Sequence, residues 1–149
     1  MRSKIAVAGL AAVAVFVCVA AVAVSVRMAG LRGPGQITFG TALVGGRLVG
    51  RGTVFEPKDR TLILRANLVD PGQIEFDEVT ELFHVRKAGG WSNVAWITAR
   101  ANPASSTLVT MYPRRYLTAQ GVKAPGLYRV LVLGPIGFHQ AVGTFRLAG

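Results

Sequence analysis

The chain has 149 residues, 51% of them hydrophobic, with 17 Lys/Arg against 7 Asp/Glu and a single cysteine. That length holds one compact domain plus a targeting segment, and the lone cysteine excludes an internal disulfide framework. The formal charge of +10 overstates the basic character of the domain: four basic residues (Arg2, Lys4, Arg27, Arg32) precede Gly33, which leaves thirteen against seven acids, a surplus of six.

Residues 5–26 carry no charge, and Ser25 is the one strongly polar side chain among them. A helix of that length measures roughly 33 Å at about 1.5 Å per residue, close to the ~30 Å hydrocarbon core of a bilayer. Ala and Val dominate, so insertion rests on length and absence of charge rather than on strongly apolar side chains. A cleaved signal peptide is one reading, with a basic start (Arg2, Lys4) and Ala21-Val22-Ala23 as the cleavage triplet. An uncleaved signal anchor is favoured, because the apolar run is longer than a usual h-region and continues through Val26. Basic residues flank the segment on both sides, so charge discriminates orientation poorly. The very short N-terminus fits a cytoplasmic N-terminus and a periplasmic or extracellular C-terminal domain. Cys18 lies mid-span after Val15-Phe16-Val17, which is no lipoprotein signal, and reads as a small apolar residue facing lipid or another helix.

The expected organisation is an anchor at 1–26, a short linker at 27–36 with Gly30, Gly33, Pro34 and Gly35, and a β domain at 37–149. Strands are predicted at 37–44, at 53–55 ending on Pro57, and at 61–69, where Leu62, Leu64, Ala66 and Leu68 share one face. Asp70-Pro71-Gly72 turns the chain. A hairpin follows, 79–87 and 91–99 around Ala88-Gly89-Gly90. Further strands are predicted at 106–112, 128–133 and 138–147, with 114–125 irregular and Gly134 to Gly137 as the last turn. Seven to eight short strands broken by Gly and Pro, with no soluble helix, predict a mainly β antiparallel sandwich.

Ala124-Pro-Gly-Leu-Tyr-Arg-Val130 resembles the tyrosine corner of immunoglobulin-like and fibronectin type III-like domains. That resemblance implies structural roles for Gly126, Tyr128 and Val130, with the Tyr128 hydroxyl bonding back to nearby backbone. The segment 53–64, with Phe55, Pro57 and Asp59, is similar to the entry into the second strand of exported bacterial, membrane-anchored sandwich domains. Such domains also close on a Phe-x-Leu strand, here Phe145 and Leu147. The resemblance covers roughly residues 37–147 and implies the fold. It departs from antibody-type domains in having no paired cysteines and Phe83 and Val85 where a core Trp would stand.

Candidate chemistry is sparse. His84 and His139 are too few for a zinc or copper site, and each lies on a predicted strand. Asp70, Glu75, Asp77, Glu78 and Glu81 match no calcium-loop spacing, so cross-strand pairing with the basic C-terminal half is expected of them. Ser92, Ser105 and Ser106 have no nucleophile motif, and the glycine-rich run 45–52 precedes a strand instead of a helix and carries no Lys-Ser/Thr. No catalytic residue, cofactor or metal site is expected, and the chain is read as a non-enzyme.

Trp91 and Trp96, an odd number of residues apart, are expected on opposite strand faces, one in the core. The other joins Tyr112 and Tyr116 in an aromatic patch for a partner or membrane contact, with Arg114 and Arg115 supplying polar contacts. Nucleic acid is not an expected partner, since no basic cluster interleaves with aromatics. The functional expectation is a single-pass membrane protein contacting lipid through 5–26 and a protein partner through its β domain. It would act as an accessory or structural subunit of a larger membrane complex, such as an energy-converting one. Alternatives are a secreted or surface module binding glycan or peptide, and a pilin-like filament subunit.

Overall fold

A computed structural model describes residues 33–74 and 77–149, with the side chains of Gln73 and Ile136 left aside. The expected anchor at 1–26 lies outside the described residues. Among those residues, no helix is long and apolar enough to cross a membrane.

Residues Pro34–Gly149 form a compact unit of ten strands. These are β1 (Gly35–Gly40), β2 (Ala42–Val44), β3 (Arg47–Val49), β4 (Val54–Phe55), β5 (Thr61–Asn67), β6 (Glu78–Lys87), β7 (Gly90–Arg100), β8 (Thr107–Pro113), β9 (Gly126–Leu133) and β10 (His139–Leu147). The first layer of the sandwich runs β7-β6-β9-β10, all antiparallel neighbours. The second is β1-β5-β8. Strand β1 joins the two: Gly35 and Gln36 pair in parallel with β10, and Ile37 to Gly40 pair antiparallel with β5. Strand β4 pairs with the other end of β10, at Arg146 and Leu147.

Alternation fills the space between the layers. Leu62, Leu64 and Ala66 on β5 face Val79 and Phe83 on β6 and Tyr128, Val130 and Val132 on β9, all within one buried cluster. Phe39, Phe55, Phe145 and Tyr128 form its aromatic end. Phe39 and Phe145 lie 5.2 Å apart, Phe55 and Phe145 meet edge-on at 5.8 Å, and Tyr128 stacks on Phe145 at 5.4 Å. Aromatic pairs at such spacings contribute beyond simple burial. β10 approaches β1 so closely that a Cβ on Gly143 would stand 2.7 Å from the Ile37 Cβ and 2.9 Å from the Phe39 ring.

The predicted strand at 37–44 is divided. After Gly40 the chain leaves β5, and β2 and β3 form a separate hairpin around Gly45-Gly46. Its buried Leu48 lies over Gly40, which stands in register with Ile63. The hairpin thereby shields Ile63, the outward side chain of β5, which is fully buried. Strand β1 also begins at Gly35, two residues before the predicted start of the domain at 37.

The segment predicted irregular at 114–125 begins instead with a short helix, α1 (Arg114–Ala119), its N-cap Pro113 and its end at Gln120 before Gly121. Burial of Leu117 explains its formation: one helical turn drops that side chain into the core cluster. Proline before and glycine after are the usual punctuation of a helix.

Candidate functional site

The outer face of the β7-β6-β9-β10 layer is where apolar and basic side chains meet. Strand registers set Trp96, Leu82, Leu131 and Val142 side by side across the four strands. At ~4.8 Å between strands this row is about 14 Å long. Leu131 is 7% exposed, Leu82 and Val142 are half-buried, and Trp96 at the open edge is 68% exposed. An indole left this open to water is unusual, since large apolar side chains in the open mark contact surfaces when they join a row.

Two residues along β6, a second row crosses the same face: Asn93, His84, Arg129 and Thr144. Beyond it Arg86 stands opposite Trp91. The Arg129 guanidinium lies 4.6 Å from the Trp91 ring centre and the Arg86 guanidinium 5.5 Å from it. Arg129 Nη2 lies 3.1 Å from His84 Nδ1, while the buried Arg129 Nε has no hydrogen-bond acceptor. Burial, and secondarily the charge of Arg129, holds the His84 pKa below the ordinary histidine value. Arginine can only donate, so Nδ1 of His84 accepts from Arg129, and a neutral ring then carries its proton on Nε2.

Both tryptophans thus lie on the outer face, which corrects the expectation that one enters the core. A register shift between Phe83 and His84 sets Ala95 opposite Phe83 and Asn93 opposite His84. The extra residue, Val94, restores a common parity to Trp91 and Trp96, as a β-bulge does. Tyr112 corrects a second expectation. It is 7% exposed and faces inward, its hydroxyl donating to Glu81 Oε2 at 2.9 Å. Tyr116, 40% exposed on α1, stacks on Tyr112 at 5.9 Å. Arg114 and Arg115 line a different, open depression of about 420 Å³ with Arg60, Asp59 and Pro57. The six candidate contact residues are therefore spread over the outer face, the core and one end of the sandwich.

Glu81 is the polar residue that the sequence did not single out. It lies between Val79 and Phe83, shares their inward face, and is 0% exposed. The Thr110 hydroxyl donates to Oε1 at 2.7 Å and that of Tyr112 to Oε2. Burial raises the Glu81 pKa to about 7, against the opposing effect of the two hydroxyls. Burial and then the Glu81 charge push the Tyr112 pKa up as well. The expected pairing of Glu81 with basic residues is corrected: its partners are two hydroxyls of β8. A carboxyl titrating near 7 suits general acid–base chemistry only where substrate reaches it. Neither the depression at Arg114 nor a second one of about 490 Å³, lined by Asp77, Glu78, Arg100 and Asn102, is lined by Glu81.

Among the described residues no group of three or more His, Cys, Asp or Glu could hold a metal ion. His139 is exposed at the start of β10. At the tyrosine corner, the Tyr128 hydroxyl donates to the Ala124 carbonyl at 2.8 Å, and Gly126 and fully buried Val130 lie on the same strand.

No protein-family model matches the sequence. No curated protein matches it either. Among solved structures, the chain is similar to the crystal structure of an immunoglobulin-like protein from Pseudomonas aeruginosa. The two are 19% identical with a TM-score of 0.50, over 75% of this chain and 91% of that one. The β domain accordingly has an immunoglobulin-like sandwich fold, which fixes an architecture and no activity.

Proposed function

We propose that the chain is a non-enzymatic partner-binding protein, tethered to a membrane by residues 5–26, whose β domain docks a protein through the outer face of its four-stranded layer. The exposed indole of Trp96, at the end of an apolar row and beside a cationic cluster, is the observation that supports this reading. Aromatic and arginine side chains supply much of the energy at protein interfaces, and here both kinds occur on one face. The uncharged run at 5–26 supports an anchor, the very short stretch before it fits a domain outside the cytoplasm, and an anchored docking domain suits an accessory subunit of a membrane complex.

The test is purification of the full-length chain in mild detergent from its native membranes, with Trp96→Asp beside it. The reading predicts a stoichiometric protein partner with the native chain and at least a ten-fold loss of that partner with Trp96→Asp, at unchanged thermal stability. Identical partners with both chains, or a chain recovered alone and free of membranes with its first residues intact, would overturn it.

A further inference from the structure

We infer that the cluster Arg86, Trp91, Arg129 and His84 is a carboxylate-binding site, and that the docked protein presents an acidic segment there. The inference rests on the outer face being the docking surface, and it adds the chemistry of what docks. Two guanidiniums are brought to one indole ring, at 4.6 and 5.5 Å. Each is attracted to the ring face, while the two like charges repel one another. The local sequence offers no relief. Strands β7, β9 and β10 contain no Asp or Glu, and the outward acid of β6, Glu78, lies six residues from His84, about 20 Å along the strand.

Arg129 has a neutral histidine as its hydrogen-bond partner, and its Nε–H is left without an acceptor. The rigid fork of a guanidinium suits a bidentate carboxylate, which the flexible ammonium of lysine does not match. With Nδ1 of His84 accepting from Arg129, Nε2–H is a third donor of the same cluster. An incoming carboxylate would supply the missing negative charge beside Arg129 and accept from the exposed Arg86 guanidinium and from His84 Nε2–H.

The apolar row argues for a protein over a bilayer as the source. Leu82 is two residues from His84 on β6, so apolar row and cation cluster lie side by side on one face. A protein surface offers apolar and acidic side chains at one height. Leu131 is 7% exposed and Leu82 and Val142 are half-buried, so the row offers a shallow surface for another protein's side chains to pack on and little that could insert among acyl chains.

The chain contains two tryptophans. In the full-length Trp96→Phe chain, held in non-ionic detergent, Trp91 is the sole indole and reports directly on the cluster. Titration with hexaglutamate at low ionic strength is expected to change Trp91 emission in a saturable way. Hexaserine gives no change, and added salt weakens the effect. Arg129→Gln weakens binding at least ten-fold and Arg129→Lys by less; the exposed Arg86→Gln gives a second reading should Arg129→Gln melt early. A hexaglutamate response that is absent, or unaltered in both glutamine variants, overturns the inference. So does a response to anionic phosphatidylserine vesicles or to inorganic phosphate with none to hexaglutamate. If a partner still co-purifies through Trp96 while Trp91 ignores hexaglutamate, the docking face stands and the carboxylate site fails.

Discussion

Tyr112 and Glu81 join the two layers of the sandwich through a 2.9 Å hydrogen bond inside the core. Thr110, two residues earlier on β8, donates to the other carboxyl oxygen, so β6 is tied to β8 by a fully buried acid and two hydroxyls. A buried polar group costs free energy unless it is hydrogen-bonded, and this one is bonded on both oxygens.

Stability should depend on pH through this carboxyl. The folded pKa of about 7 lies above the ordinary 4.5, so between those values the folded state binds more protons than the unfolded one. The contribution of Glu81 is therefore complete below pH 4.5 and is lost as pH rises through about 7. By linkage the loss is on the order of 3 kcal/mol. Denaturant melts at pH 5 and pH 8.5 should show a lower midpoint at the higher pH, and Glu81→Gln should remove most of that difference. An equal slope in Glu81→Gln would assign the effect elsewhere.

Tyr112→Phe deletes one donor and leaves Glu81 with Thr110 alone. The expected cost is about 1–3 kcal/mol, as for other half-satisfied buried polar groups. Because that hydrogen bond lowers the Glu81 pKa, its loss should also move the pH transition of stability upward. Loss of stability with no movement of the transition would mean that the ring's packing, and not its hydroxyl, is what matters.

Gly143→Ala should be destabilising by about 1–3 kcal/mol, the range for overpacking a tight contact. The added methyl meets the Ile37 Cβ at 2.7 Å, and neither strand can yield without disturbing the pairing of β1 with β10. Thermal melting decides the matter, and an unchanged midpoint would show that β1 gives way freely.

Phe145→Ala and Trp96→Ala should separate folding from binding. Phe145 is fully buried against Phe39, Phe55 and Tyr128, and its truncation should cost about 3–5 kcal/mol. Trp96 is 68% exposed, and its truncation should leave the melting midpoint within the small scatter of surface substitutions, about 0.5 kcal/mol. A large loss of stability in Trp96→Ala would make that indole a structural residue.

Much of the sandwich is legible in the sequence because Leu62, Leu64 and Ala66 mark the inner face of β5, with Ile63 the one apolar residue out of phase, and Gly and Pro stand at the breaks. The same alternation carried Glu81: Val79, Glu81 and Phe83 share one parity, which puts the carboxylate inside, although its neighbours Asp77 and Glu78 suggest an exposed acidic stretch. Trp91 and Trp96 could not be placed by parity, because the bulge at Val94 depends on the register β7 adopts against β6 and leaves no local mark. The outer rows likewise exist only once four strands from distant parts of the chain are aligned. Helix α1 is too short for periodicity to show, and Leu117 reaches the core only in the folded domain.

Photocrosslinking within cells tests the central claim most directly. A benzophenone amino acid replaces Trp96 in one full-length chain and Met111 in another. Met111 is 54% exposed on the outer side of β8, in the opposite layer of the sandwich. The account predicts a discrete crosslinked protein from position 96 and none from position 111. Crosslinking from 111 alone, or the same adducts from both, would contradict it.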